Sequence, residues 1–358
     1  MAEGLKTLTR YTIEEEHRHP GSTGDFSGLL NVLATAVKII ANQVNKGALI
    51  GAPGKDGADS VHGEVEKKLN VISNDVLLQE TQWAGHVAAM VSGEMTEFYP
   101  VPTRYRRGKY LLAFDPLDGS SNLDVNMTLG TIFSILRYPD SDTDPGDEDF
   151  LQPGVQQVCA GFALYGPATM LVLTTGRGVD GFTLDREIGA FVLTHPQMRI
   201  PEDASEFAIN ASNERFWEQP VKRYVKECLD GAAGTRSKDF TMRWVASLVA
   251  ETFRILTLGG VYLDPRDTKD PSRAGRLRLL YEANPIAFII EQAGGAASTG
   301  DGRVMEIVPE SLHQRVPLMF GSRNEVERIE RYHLEPPDGT GGSFDASLFT
   351  IRSLFRTS

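Results

Sequence analysis

Phe114-Asp115-Pro116-Leu117-Asp118-Gly119-Ser120-Ser121-Asn122 is the stretch on which the reading of this chain turns. The run Lys109-Tyr110-Leu111-Leu112-Ala113-Phe114 ahead of it reads as a β-strand, and the polar run after it as a loop. The strand delivers Asp115 to a sheet end, where Pro116 fixes the backbone. Asp118 lies three residues on, so a turn brings both carboxylates to one point. Gly119 permits a positive φ, and the amides and hydroxyls of Gly119, Ser120 and Ser121 then face an anion. Two hard carboxylates beside an anion cradle suit Mg²⁺. A plain surface turn would account for Gly119, but not for an apolar strand running straight into Asp-Pro-Leu-Asp.

Outward from this point the pattern alternates between helix and strand. Leu29, Leu30, Leu33, Ala36, Val37 and Ile40 recur at helical spacing after Thr23-Gly24-Asp25, with Gly47 as a stop. Residues 47–57 are glycine-rich, but Leu49 and Asp56 break the phosphate-loop pattern, so the segment reads as a mobile loop. A second helix is expected over 69–78, a strand over 131–136, and an acidic, proline-punctuated surface loop over 139–153. Residues 158–193 read as short antiparallel strands. Helices follow over 221–229 and 244–258. A third opens at Asn284-Pro285, with Asn as cap and Pro in the first turn, and ends at Gly294-Gly295. The last strand is 317–321, followed by a charged helix to Tyr332. The expected fold is layered α/β (α+β), with mixed sheets alternating with helix layers.

The length, 358 residues, suggests about two domains, placed at 1–200 and 201–333, with a tail over 334–358. A net charge of −12 opposes a nucleic-acid or anionic-membrane partner. An anionic small substrate stays open, provided a metal or clustered arginine supplies local positive charge. The N-terminus has no apolar signal region, and no uninterrupted apolar run reaches the roughly 20 residues of a membrane helix; the expected location is the cytoplasm. Cys159 and Cys228 form no CxxC pair and read as reduced, small-hydrophobe thiols.

The string DPLDGSSN resembles the signature of the lithium-sensitive, metal-dependent phosphatases, which include inositol monophosphatases. The stretches LTRYTIEEE, KKLNVISND, RGKYLLAF, GTIFSILR, LGGVYLDP, GRLRLLYEANPIAFIIEQAGG and HQRVPLMFGS narrow the resemblance to class I fructose-1,6-bisphosphatases, over residues 5–333. The resemblance implies hydrolysis of fructose 1,6-bisphosphate to fructose 6-phosphate and phosphate, as in gluconeogenesis, by water activated on Mg²⁺, with Mn²⁺ as a substitute. It implies a cytoplasmic homotetramer. Metal ligands fall at Glu94, Asp115, the Leu117 carbonyl, Asp118 and Glu282, and proton acceptors at Asp75 and Glu94. Substrate contacts fall at Asp118, Gly119, Ser120, Ser121, Asn210, Arg243 and Arg276, with Arg243 reaching across a subunit interface to the distal phosphate. An allosteric AMP site falls at Thr23, Lys109, Tyr110 and Arg137, for which ordinary strand and loop surface is the other account. Glu282 also stands just ahead of an expected helix start, where any carboxylate is favoured.

The chain departs from the family pattern at several places. Gly93-Glu94-Met95 replaces the usual Ser-Glu-Glu, and Asn70 an aspartate. Arg276 stands where lysine is usual, and Trp244 and Asp264 where tyrosines contact substrate. Trp244 keeps the packing without the phenol hydroxyl, and an inward Asp264 would repel phosphate. Sedoheptulose 1,7-bisphosphate is therefore the alternative substrate. A non-catalytic sugar-phosphate sensor fits less well, because Asp75, Asp115, Asp118 and Glu282 are all retained. The tail, with Leu348, Phe349, Ile351, Leu354 and Phe355 after a glycine-rich linker, is either a short docking helix or without order.

Overall fold

The computed structural model describes residues 5–17, 23–50, 61–139, 143–270 and 273–335. Three helices open the chain: α1 (Leu8–His17), α2 (Asp25–Val44) and α3 (Val61–Gln82). An eight-stranded sheet follows, made of β1 (Val87–Ser92), β2 (Tyr99–Pro100), β3 (Tyr110–Asp118), β4 (Leu129–Arg137), β5 (Cys159–Tyr165), β6 (Thr169–Thr174), β7 (Asp180–Asp185) and β8 (Ala190–His195). Its order is β2-β1-β3-β4-β5-β6-β7-β8, with β1 and β3 parallel and the other pairs antiparallel.

The second half contributes β9 (Glu206–Ile209), α4 (Gln219–Leu229), β10 (Thr241–Met242), α5 (Leu248–Leu258), β11 (Val261–Asp264), β12 (Leu277–Arg278), α6 (Asn284–Gln292), β13 (Ala296–Ser298), β14 (Arg315–Val316), β15 (Leu318–Gly321) and α7 (Arg323–Leu334). A five-stranded sheet runs β10-β9-β11-β15-β13, and β12 pairs with β14 as a separate ribbon.

Period-two alternation along the strands sorts side chains between layers. In β5, Cys159, Ala163 and Tyr165 join the core under α1–α3, while Ala160, Phe162 and Leu164 pack toward α5 and α6. In β11, Tyr262 faces α5 and α6, while Val261 and Leu263 face α4 and α7. The result is five layers: α1–α3, the large sheet, α5 with α6, the smaller sheet, and α4 with α7. This is the expected layered α/β arrangement. By length and mean hydropathy (1.2), α2 is apolar enough for a membrane span. Its Leu29, Leu30, Leu33, Ala36, Val37 and Ile40 are core, which explains the pattern without a bilayer. Both cysteines are buried and unpaired.

Several boundaries differ from expectation. The strand expected to end at Phe114 continues through Asp118. The helix expected from residue 244 begins at Leu248, because Ser247 caps it and Ala246 takes a left-handed φ of 59°. Asn284 is no cap: a π-helical turn over Leu279–Ala283 runs directly into α6, so Asn284 is already helical. Most of the loop expected at 47–57, and the tail beyond residue 335, lie outside the described residues.

Candidate metal centre

In a regular strand, residues three apart point to opposite faces. Asp115 and Asp118 share a side because β3 carries an extra residue between them. The β3–β4 register passes from Asp115 opposite Ile132 to Asp118 opposite Gly130, so two residues face one. Pro116, which has no N–H to give the ladder, sits in this bulge. Its carbonyl accepts the Thr131 hydroxyl at 2.8 Å. The Leu117 amide donates to Asp115 Oδ1 at 3.2 Å. Asp118 Oδ2 accepts the Val249 amide at 3.0 Å and the Ser247 hydroxyl at 3.3 Å, both from the first turn of α5. That positive helix end suits a carboxylate. Gly119 follows at φ 71°, and a Cβ there would lie 3.0 Å from that of Ser247.

The third carboxylate, Glu282, comes from the π-helical turn before α6 and accepts the Arg278 amide. Such turns recur at functional sites because they re-aim one side chain. Oxygens of Asp115, Asp118 and Glu282 lie within 4.8 Å of one another. They line a cavity of about 250 Å³, rimmed by Glu94, Gly119, Ser120, Arg278 and Arg315. Burial is the main reason the three resist ionisation, and repulsion from neighbouring carboxylates adds to it at Asp115 and Glu282. Asp118 is pushed up to about 6 against the pull of its amide and hydroxyl donors, and Glu282 up to about 7. Asp115 rises well above the usual carboxylate range, through burial and then the charges of Glu282 and Asp118. A cluster of hard oxygens whose negative charge is this poorly compensated fits a divalent cation.

The expected site residues do not all converge. Glu94, Leu117, Gly119, Ser120 and Arg276 line the cavity with the trio; Ser121 is exposed outside it. The Ser120 hydroxyl donates to Glu66 on α3 at 2.6 Å. Asp75 is exposed on α3 and outside the lining, because the helix phase turns Asn74 inward instead, to accept the Ser92 hydroxyl at 2.6 Å. Asn210 caps the turn at Ala211–Phe216. Asn213 is the one that lines a second cavity of about 430 Å³, beside Pro265, Lys269, Arg273 and Arg276. Arg243 is exposed and pairs with Glu206 at 3.5 Å. Arg278, Arg315 and Glu66 were missed. The first two had a signal: Arg276 and Arg278 are two apart in an extended segment, and β12–β14 pairing sets Arg315 opposite Arg278.

The chain matches the family described as "Fructose-1-6-bisphosphatase, N-terminal domain" over residues 6–196, and "Fructose-1-6-bisphosphatase, C-terminal domain" over 200–334. The chain belongs to the fructose-1,6-bisphosphatase family. A class 1 fructose-1,6-bisphosphatase of Hydrogenophilus thermoluteolus is 59% identical over 351 residues, covering 98% of this chain and 97% of that protein. One from Methylibium petroleiphilum is 56% identical over 352 residues, 98% of each. The holo crystal structure of Leishmania major fructose-1,6-bisphosphatase superposes with a TM-score of 0.84 at 38% identity, covering 92% of this chain and all of that one.

Two of the residues expected to depart from the pattern of the fructose-1,6-bisphosphatase family, Trp244 and Asp264, have structural partners. Trp244 stacks on Tyr262, centroids 5.9 Å apart, and Tyr262 on Phe320 at 5.1 Å. Asp264 does not confront the substrate space as a free charge, because Arg276 pairs with it. Thr23, Lys109, Tyr110 and Arg137 converge on a third cavity of about 410 Å³ between α1, α2 and the large sheet.

Proposed function

We propose that this chain hydrolyses fructose 1,6-bisphosphate to fructose 6-phosphate and phosphate, as a metal-dependent phosphoric monoester hydrolase. The observation carrying this reading is the convergence of Asp115 and Asp118 from the bulged end of β3 with Glu282 from the π-helical turn, beside Arg276, Arg278 and Arg315. Carboxylates alone would repel a phosphate, whereas the arginines hold and orient it. Asp115, Asp118, Glu282, Glu94 and the Leu117 carbonyl would hold Mg²⁺, or Mn²⁺ in its place. When bound, such ions neutralise phosphoryl charge and lower the pKa of attacking water. Glu94, on the cavity's lining, would accept the water's proton. Gly119 and Ser120 cradle the phosphoryl oxygens, and Arg276 lies between this cavity and the larger one for the sugar. Asp75 and Asn210 lie outside the linings of these two cavities in this arrangement.

The test is phosphate release from fructose 1,6-bisphosphate and sedoheptulose 1,7-bisphosphate, with and without Mg²⁺. Release should require the metal and favour the fructose ester. Asp118→Ala should lower it by about a thousandfold or more; near-normal turnover would remove Asp118 from the site.

The reading extends to a homotetramer in the cytoplasm, with exposed Arg243 completing a neighbour's site, and to inhibition by AMP at the third cavity. Lys109 and Arg137 there suit a phosphate, and Tyr110 and Phe26 a base. Lys109 is also tied to Asp25 at 2.9 Å and to the Thr23 hydroxyl at 3.0 Å. Activity titrated with AMP should fall along a saturable curve that Lys109→Ala shifts to higher concentration; a flat curve rejects the site.

A further inference from the structure

Asp264 ends β11 with its side chain only 4% exposed. A carboxylate so buried is held ionised only by a close cation. Arg276 supplies it: Nε donates to Asp264 Oδ1 at 2.8 Å, and Nη2 donates to the same oxygen. The arginine is fixed at its backbone as well, where its carbonyl accepts a hydrogen bond from the Arg315 guanidinium. Just before it, Gly275 passes so close to β14 that a Cβ would fall 2.0 Å from the Val316 carbonyl carbon. No side chain fits at position 275 beside that strand. Arg276 is nonetheless 44% exposed and lines both the 250 Å³ metal cavity and the 430 Å³ cavity. Of its five N–H groups, two are taken by Asp264, which leaves three for a ligand in the cavities that Arg276 lines.

We infer that Asp264 is a positioning residue: it aims the Arg276 guanidinium so that its remaining N–H groups hydrogen-bond the phosphorylated sugar beside the two cavities that Arg276 lines. The inference rests on the sugar-bisphosphatase reading. The pair is electrically neutral, so its contribution is direction rather than net attraction. A lysine at 276 could match Asp264 in charge, but a single ammonium cannot hold the carboxylate and present a planar donor edge to the sugar. Asp264 thus sets sugar affinity without touching the substrate.

The test uses Asp264→Asn, Asp264→Glu and Arg276→Lys in the full-length protein. Affinity for fructose 6-phosphate, measured by titration calorimetry, involves no turnover. Asp264→Asn should weaken it about tenfold, and raise KM for fructose 1,6-bisphosphate by a similar factor with a smaller change in kcat. Arg276→Lys should do the same, Asp264→Glu should restore part of the affinity, and the double variant Asp264→Asn with Arg276→Lys should be no worse than either alone. Unchanged or tighter fructose 6-phosphate binding in Asp264→Asn, or fully additive losses in the double variant, overturns the inference. If Asp264→Asn fails to fold, Arg276→Lys decides: wild-type affinity there overturns the inference too. Wild-type turnover, measured in the same assay, tests the underlying reading separately.

Discussion

Asp118 shows how one carboxylate can serve two structures. It closes the first turn of α5 and faces Asp115 and Glu282, so folding brings together negative charges that water would keep apart. The pH consequence has a definite sign. Unfolded carboxylates titrate near 4, whereas folded Asp118 lies at about 6 and Glu282 at about 7. Between these values the folded state binds more protons than the unfolded one, so metal-free stability falls as pH rises through that window. A divalent ion displaces those protons and removes the repulsion. The rise in Tm caused by saturating Mg²⁺ should therefore be larger at about pH 7.5 than at about pH 5.5; at a hundred times its Kd the ion adds about 2.7 kcal/mol. An equal or smaller shift at the higher pH, read by thermal denaturation, would argue that the ion binds elsewhere. At this scale Asp115, Asp118 and Gly119 were legible because their spacing is local. Glu66 was not, because its link to Ser120 spans 54 residues and depends on how α3 packs.

The elements that build the site are the irregular ones. The bulge in β3, the Ser247 cap of α5 and the π-helical turn before α6 each turn a carboxylate toward the same point. Ser247 joins two of these roles: its hydroxyl accepts the Ala250 amide at 3.4 Å and donates to Asp118 at 3.3 Å. Ser247→Ala should lower stability by about 1 kcal/mol, the usual loss for a helix cap. It should also weaken Mg²⁺ activation about tenfold, as loss of a partner behind a metal ligand does. Chemical denaturation and an Mg²⁺ titration of activity check the two effects; a stability loss with unchanged Mg²⁺ dependence would confine Ser247 to capping. Apolar periodicity exposed the long helix α2 and the strands after residue 158, where the pattern is strong and regular. It hid the start of α5, where Trp244 continues the apolar pattern although it stacks on Tyr262 outside the helix. It likewise placed a cap at Asn284, because a π-helical turn leaves no mark in the alternation of apolar residues.

Across the whole molecule, the sequence divides into two family segments, but the core does not. One apolar cluster takes Ile132, Ala160 and Phe162 from the large sheet, Ile286 and Ile290 from α6, and Leu318 and Phe320 from the smaller sheet. The layer of α5 and α6 is thus a shared filling: either half alone would expose one face of it to water. The metal centre has the same ownership, with Asp115 and Asp118 from the first segment and Glu282 from the second. Folding should accordingly be one cooperative event, despite a length at which domains often melt separately. Scanning calorimetry of the metal-free protein should show a single transition, coincident with loss of far-ultraviolet circular dichroism and of tryptophan fluorescence change. Phe162→Ala, emptying a fully buried site in the shared layer, should lower that one transition by about 3–5 kcal/mol of stability. The peak should not split, since removing the contact weakens both sheets' hold on the same helices. Two resolved peaks, or a Phe162→Ala protein whose second half melts at the unaltered temperature, would show that the halves are separate folding units and that the three clustered carboxylates meet only at a docking surface between them.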